Sequence, residues 1–144
     1  SLFAAGAKII WCRRDKVATA WSCFKTRFTS GNAWSYDFAQ IARYQQYYDD
    51  LMQHWQAVLP QGTILEVHYE ELVGNAEPRI RELLEHAGLP FDPACLEPHR
   101  QKAAVKTASL TQVRQPMHAG ANEAWRRYEQ QLAPHLPLLR GAAQ

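Results

Sequence analysis

The stretch IIWCRRD, in which four apolar residues run directly into two arginines, most constrains how this chain folds. Residues 7–12 are predicted to form a strand with apolar side chains on both faces, which is typical of a parallel sheet covered by helices on each side. Arg13 and Arg14 follow at once, and adjacent charges suit the rim of such a sheet better than its interior. The sequence therefore predicts an α/β fold in which a buried strand ends in two arginines.

The periodicity of the remaining chain predicts helices and one more strand. Helical spacing of apolar residues predicts four helices, over residues 16–28, 37–58, 78–87 and 122–132. Residues 63–69 (TILEVHY) alternate and are rich in β-formers, which predicts a second strand, parallel to the first. Asp15 is the expected N-cap of the first helix, and Gly88 suits the position just beyond the third. Glu70 and Glu71, after the second strand, are expected in the first turn of a helix.

Two parallel strands flanked by helices leave the predicted sheet incomplete. A strand that is apolar on both faces needs a neighbour on each side, and the sequence offers too few candidates. We expect residues 1–144 to be a single partial domain, the C-terminal part of a larger α/β domain. The missing N-terminal half or another chain is expected to complete the sheet, since an open edge is otherwise exposed.

Composition excludes several classes of function. A net charge of +2 argues against general nucleic-acid binding, so any anion site must come from local placement of arginines. No apolar run approaches the roughly 20 residues that span a bilayer, so no membrane partner is expected. Three cysteines without ligand spacing favour a reducing, cytoplasmic location, and six histidines without clustering predict no metal site.

Arg14 and Ser22 are the candidate anion-binding residues that the pattern itself indicates. Ligands of open α/β sheets bind beyond the carboxyl ends of the strands, where helix N-termini favour phosphate. An arginine fork can hold two phosphate oxygens and a serine hydroxyl a third. The alternative is that Arg13 and Arg14 pair with Asp15 or a surface carboxylate, and that Ser22 fills a packing gap.

Aromatic residues offer a second set of candidates. Tyr69, at the end of the second strand, can stack on a purine or can be a tyrosine of the core or rim. Tyr44, Tyr47 and Tyr48 can border an acceptor cleft, although helical spacing favours a place in the core. Five residues further along the chain are also candidates for a binding site, although each of them alone is more typical of the surface or the core. They are Ser109, Arg114, Trp125, Arg126 and Arg127.

Five segments taken together resemble the C-terminal half of the sulfotransferase family. They are KIIWCRRD with Ser22 eight residues after Arg14, then VHYEELV, GLPFDPACL, AVKTASLTQVRQP and AWRRYE. The resemblance covers residues 7–139 and is greatest to the bacterial branch that is often fused to tetratricopeptide repeats. Tyrosylprotein sulfotransferases are also similar. The implied fold is the C-terminal part of a P-loop-type sulfotransferase domain.

The resemblance implies a nucleotide donor, 3′-phosphoadenosine-5′-phosphosulfate, and transfer of its sulfuryl group to a hydroxyl or amine acceptor. By matching position, Arg14 and Ser22 would hold the 3′-phosphate and Tyr69 would lie near the adenine. The remaining implied nucleotide-binding residues belong to the later segments: Ser109 and Arg114 in a loop that closes over the nucleotide, Trp125 at its far end, and Arg126.

Two positions depart from the family pattern. Lys16 stands where the bacterial branch usually has proline, which is helpful but dispensable at the first position of a helix. Ala119 and Ala124 stand where relatives commonly place basic residues ahead of Trp125, so that role would fall to Arg126 or Arg127.

The resemblance also implies which parts of the catalytic machinery lie elsewhere. The loop that binds the 5′-phosphosulfate and the general base both precede this region in the family, so no catalytic residue is assigned. Sulfuryl transfer depends on positioning and charge stabilisation at the moving group. We therefore expect the chain alone to be inactive. The alternative is a degenerate binding or interaction module, which the alanines before Trp125 favour slightly.

Overall fold

The structure, a computed structural model, describes residues 6–28, 31–100 and 120–141. Its backbone contacts divide the chain into two units, one of residues 1–13 and 59–119, the other of residues 14–58 and 120–144. The division falls between Arg13 and Arg14. The two adjacent arginines therefore belong to different units.

The first unit contains the parallel strand pair. β1 is Ile9–Arg13 and β2 is Ile64–His68. The strands pair in parallel, with Trp11 opposite Glu66. Residues paired in this way project to the same face of the sheet. The parallel pairing and the flanking helices are consistent with the predicted α/β fold.

Two helices follow β2. α3, Tyr69–Gly74, begins directly at the end of the strand, and its first turn carries Glu70 and Glu71. Carboxylates are stabilised there by the positive end of the helix dipole, as the sequence predicts. α4, Ala76–Ala87, packs against α3 and β2. It ends at Gly88, whose φ of 71° is the left-handed conformation predicted for this glycine.

After α4 the described chain continues in two short 3₁₀ segments, Pro93–Leu96 and Pro98–Arg100. The carboxylate of Asp92 begins the first of them by accepting the N–H of Ala94 at 2.8 Å. Residues 92–100 contain no helix or strand longer than these two segments.

The two faces of β1 differ in burial. Trp11 is buried, whereas Ile10 is 47% exposed and Cys12 is exposed as well. Trp11 points to the opposite face from Ile10 and Cys12, because side chains alternate along a strand. The prediction that β1 is buried on both faces is therefore wrong for the face of Ile10, which the described elements leave open.

The second unit begins with α1, Lys16–Lys25. Asp15 caps this helix as predicted, because its carboxylate accepts the N–H of Ala18 at 2.7 Å. The helix ends three residues earlier than the sequence pattern predicts. Thr26 is extended, and its hydroxyl donates to the carbonyl oxygen of Ser22 at 2.6 Å. A side chain that bonds the backbone in this way competes with helical hydrogen bonding.

A short 3₁₀ segment, Ala33–Tyr36, leads into α2, Phe38–Val58, a helix of 21 residues. Ile41 is its fully buried residue. Tyr44, Tyr47 and Tyr48 are each about half exposed, the lowest value being 45%. The core location that helical spacing favours for these tyrosines is therefore wrong. The spacing identifies a common face but does not identify what covers it.

The C-terminal segment is broken where the sequence predicts one helix over residues 122–132. The described elements are α5 Gly120–Glu123, a 3₁₀ segment Ala124–Tyr128, α6 Glu129–Leu132, a 3₁₀ segment Ala133–His135, and α7 Leu136–Leu139. Side chains three residues apart align in a 3₁₀ helix, whereas they diverge in an α-helix. The tighter winding thus directs Trp125 and Tyr128 to one side. Tyr128 there packs on Trp21 of α1 at 4.5 Å between ring centroids.

The core of the second unit joins its two separate stretches of chain. α1 contributes three side chains, and α2 and the C-terminal segment contribute the others. Its buried members are Val17, Ala18, Ala20, Ile41, Trp125, Leu132 and Leu139. The C-terminal segment is therefore an integral layer of this unit.

Removing a core side chain tests this arrangement. We expect Ile41→Ala to lower the free energy of unfolding by about 2–5 kcal/mol, because Ile41 is 1% exposed and its loss leaves a cavity. Leu51→Ala on the same helix is the control and should change this free energy by no more than about 0.5 kcal/mol. Urea denaturation of the intact protein measures both. Equal effects of the two substitutions would contradict the assigned face of α2.

Candidate functional site

Arg13 is held at the end of β1 by a carboxylate. Its Nη1 lies 2.7 Å from Oε1 of Glu66, and Nε2 of His68 lies 3.3 Å from the same oxygen. The guanidinium carbon also lies 4.9 Å from the centroid of the Trp11 ring. A partly exposed ion pair of this kind contributes about 0–1 kcal/mol, so its main effect is to fix the side chain's direction. For Arg13, pairing with a surface carboxylate is the alternative that the structure supports.

Arg14 has a different kind of partner. Its Nε donates to Oδ1 of Asn122 at 2.7 Å, and the bond is partly buried. Asn122 lies in α5 and follows Arg14 by 108 residues. An amide oxygen accepts this hydrogen bond without neutralising the guanidinium. The contact therefore fixes the direction of the side chain.

The positive charge of Arg14 affects the pKa of a thiol on α1, that of Cys23. Burial raises the pKa of the Cys23 thiol, and the positive charge of Arg14 partly opposes this by lowering the pKa. Cys23 is the direct neighbour of Ser22, which is half-buried on the same helix. Neighbouring residues of a helix project about 100° apart, so this effect concerns the Cys23 side chain and not the Ser22 hydroxyl.

The other predicted residues have diverse locations. Tyr69 belongs to the first unit, where it is half-buried and begins α3. Trp125 is 5% exposed, in the core of the second unit. Arg126 is exposed, forms an ion pair with Glu123, and lies with its guanidinium carbon 5.1 Å from the centroid of the Trp125 ring. Ser109 and Arg114 lie outside the described residues.

The second unit brings Arg14 together with the segment that carries Trp125 and Arg126. Trp125 packs in the same core as α1, and α5, immediately before it, also packs against α1. This packing positions Asn122 beside Arg14. Sequence reasoning missed Asn122, because a single asparagine forms no pattern and its partner is 108 residues away.

Lys16 also has a defined role where relatives usually have proline. Its Nζ lies 2.6 Å from Oδ2 of Asp49, and its carbonyl oxygen accepts a hydrogen bond from Nε2 of Gln45 at 3.0 Å. Both partners lie on α2. The first residue of α1 thus ties the two helices together, which proline could not do through a charged side chain.

Within residues 6–28, 31–100 and 120–141, no group of three or more His, Cys, Asp or Glu side chains is arranged to hold a metal ion. No described helix combines the length and the apolar character that crossing a bilayer requires.

The reactivity of Cys23 tests the location of Arg14. Because burial raises its pKa, the Cys23 thiolate should form at a higher pH than an ordinary thiolate. Arg14→Gln should move that pH higher still, since the opposing positive charge is lost. Alkylation by iodoacetamide as a function of pH, resolved by mass spectrometry, measures this. Exposed Cys12 is the internal reference.

Arg27→Gln is the matched control for this experiment, because Arg27 is an exposed arginine that does not affect the pKa of Cys23. It should leave the pH profile of Cys23 alkylation unchanged. An identical profile for Arg14→Gln and Arg27→Gln would contradict the placement of the Arg14 guanidinium near α1.

Comparison with known proteins gives two matches. The model of the sulfotransferase family matches residues 4–93, more than half of the 144 residues. An uncharacterized protein of Aquifex aeolicus (strain VF5) is 34% identical over 141 residues, covering 96% of this chain and 18% of that relative. The chain therefore spans less than a fifth of the relative's length. The family match includes Arg14, Ser22 and Tyr69, whereas the later candidate residues lie beyond it.

Proposed function

Because the chain belongs to the sulfotransferase family, we propose that it forms the 3′-phosphate and adenine subsites for 3′-phosphoadenosine-5′-phosphosulfate. This nucleotide is the donor that the family generally uses. The observation that carries the proposal is the Arg14 guanidinium just before α1, whose direction is fixed by its hydrogen bond to Asn122. Arg14 and Ser22 are the proposed ligands of the 3′-phosphate.

The fixed direction of the Arg14 side chain supports it as the phosphate ligand. Its Nε donates to the amide oxygen of Asn122. Phosphate binding needs a guanidinium whose charge is directed at the ligand. Arg13 has a different contact, with the carboxylate of Glu66 in the first unit.

The remaining assignments rest on matching positions in the family. Tyr69 is proposed to lie near the adenine, and Ser109 and Arg114 are proposed to belong to the loop that closes over the nucleotide. Arg126 is the proposed basic residue of the last segment. Trp125 is proposed to anchor that segment, and its burial in the core of the second unit supports an anchoring role.

The proposed reaction is attack by an acceptor hydroxyl or amine on the sulfur of the donor. A bond forms from the acceptor atom to sulfur, the bond from sulfur to the 5′-phosphate oxygen breaks, and adenosine 3′,5′-bisphosphate leaves. The acceptor's proton passes to a general base. That base and the 5′-phosphosulfate loop are proposed to lie outside this chain, which alone should be inactive.

We propose that residues 1–144 are part of a larger sulfotransferase domain. The chain covers 18% of the relative's length, and the sheet has two strands among the described residues. Further strands, from the N-terminal part of the domain or from another chain, would pair along the edges of this sheet. Further elements would cover the open face of β1 that carries Ile10. The tetratricopeptide fusion, the similarity to tyrosylprotein sulfotransferases and the cytoplasmic location stay predictions.

A degenerate module that keeps the fold without the chemistry is the second candidate. Ala119 and Ala124 favour it, because relatives commonly have basic side chains ahead of Trp125. The two candidates differ in whether the sulfuryl group is transferred.

Substitution of Arg14 tests the phosphate subsite. Arg14→Ala should weaken binding of adenosine 3′,5′-bisphosphate to the intact protein by about 1.5–3 kcal/mol, since a charge-assisted hydrogen bond is lost. Isothermal titration calorimetry measures this. Arg13→Ala is the matched control, because the neighbouring guanidinium is paired with Glu66. Equal affinities of wild type and Arg14→Ala would refute the assignment of Arg14.

An activity assay separates the enzyme from the degenerate module. The intact protein, incubated with ³⁵S-labelled donor and a mixture of hydroxyl and amine acceptors, should transfer label, and Arg14→Ala should reduce that transfer. Measured binding of the bisphosphate without any transfer would favour the degenerate module instead.

A further inference from the structure

Gln45 of α2 holds the first residue of α1 through a directional contact. Its Nε2 donates to the carbonyl oxygen of Lys16 at 3.0 Å, and the bond is partly buried. One turn later on α2, Oδ2 of Asp49 lies 2.6 Å from Nζ of Lys16. Two residues of one helical face thus contact the backbone and the side chain of the residue at which α1 begins.

Packing against the core does not replace this contact. α1 contributes Val17, Ala18 and Ala20 to the core of the second unit. Two of these are alanines, whose small side chains interlock little with their neighbours, and burial of apolar surface has no preferred direction. A hydrogen bond does have a preferred direction. The bond from Gln45 therefore restricts sliding and rotation of α1, which burial alone leaves less restricted.

The amide of Gln45 is only half satisfied. Its Oε1 is buried, and no described residue donates a hydrogen bond to it. A buried acceptor without a partner costs free energy, which offsets what the bond from Nε2 contributes. Turning the amide around would place its oxygen against the carbonyl oxygen of Lys16, so its orientation is fixed. The stability of the fold therefore gives little reason for a glutamine at this position.

The place of Lys16 connects this contact to the candidate site. Lys16 follows Arg14 by two residues, and Ser22 lies on the same helix six residues later. Because a helix of ten residues moves as one body, a displaced start changes the direction of Ser22 and the backbone position of Arg14. Charge-assisted hydrogen bonds to phosphate depend on such geometry. Both proposed phosphate ligands therefore depend on where α1 begins.

We propose that Gln45 is a positioning residue for the 3′-phosphate subsite, which it orders by fixing the start of α1. The inference rests on the proposed function, because it assumes that Arg14 and Ser22 bind this phosphate. Gln45 acts through α1, so no contact between its side chain and the nucleotide is needed. Its contribution should therefore appear only with ligands that carry a 3′-phosphate.

Gln45→Met tests the proposal in the intact protein. Methionine has nearly the same length and shape, but it donates no hydrogen bond and leaves no buried amide oxygen. Isothermal titration calorimetry should show binding of adenosine 3′,5′-bisphosphate weakened about two- to tenfold, the range for one neutral hydrogen bond. Binding of adenosine 5′-monophosphate, which has no 3′-phosphate, should be unchanged. The melting temperature should stay the same or rise, because the unpaired oxygen is gone.

Gln46→Met is the matched control. Gln46 is the next residue of the same helix, and its Nε2 also donates to an oxygen, Oδ1 of Asp50 at 2.8 Å. That bond is exposed and stays within α2. The control should leave the affinities for both nucleotides unchanged. Gln45→Leu is the second variant should methionine lower the melting temperature.

The outcomes separate this inference from the proposed function. If Arg14→Ala weakens bisphosphate binding and Gln45→Met does not, the positioning role fails and the phosphate subsite stands. Equal weakening of both nucleotides by both Gln45 variants, with a lowered melting temperature, would also overturn the role, because Gln45 would then be an ordinary structural contact. If Arg14→Ala has no effect on the affinity for the bisphosphate, the phosphate subsite itself fails.

Discussion

Burial of Trp125 is the interaction on which the second unit depends. The unit consists of two stretches, residues 14–58 and 120–144, that are distant in sequence. A buried aromatic side chain removes about 150–250 Å² from water, which corresponds to about 4–6 kcal/mol as an upper estimate. Together with the burial of Leu132 and Leu139, this energy attaches the C-terminal segment to the core of the unit. The attachment brings Asn122 to Arg14, where the hydrogen bond forms.

The two arginines after β1 show how partners decide the role of identical residues. Arg13 and Arg14 have the same chemistry and adjacent positions, yet Arg13 is the last residue of β1 and Arg14 lies just beyond the strand. Arg13 meets Glu66 in the first unit, whereas Arg14 meets Asn122 in the second. The first contact is between opposite charges and the second is between a charge and an amide. Local sequence alone could not distinguish these two environments.

Features that depend on neighbouring residues were predictable. Asp15 as an N-cap, Gly88 as a C-terminal glycine, and Glu70 and Glu71 in a first turn all follow from local hydrogen bonding and the helix dipole. The parallel strand pair followed from hydrophobic patterning. These features depend little on residues far away in sequence, which explains why a single sequence was sufficient to predict them.

Features that depend on contacts between residues far apart in sequence were not predictable from sequence patterns. The tyrosines of α2 share a helical face, but their exposure depends on which elements pack there. The segment around Trp125 has the composition of one helix, yet core packing breaks it into α and 3₁₀ turns. At the candidate site, Arg14 and Ser22 came from spacing and resemblance. Asn122 required the tertiary contact itself.

The small net charge explains why fixed geometry matters at the candidate site. With a net charge of +2 the chain has no strong overall field to attract a nucleotide. Charges beyond a Debye length of about 8 Å are largely screened at physiological salt, so recognition must come from groups close to the phosphate. A flexible arginine would lose side-chain entropy on binding, at about 0.5–1.5 kcal/mol. A guanidinium already restrained by a packed, neutral asparagine has lost part of that entropy during folding, before any ligand arrives.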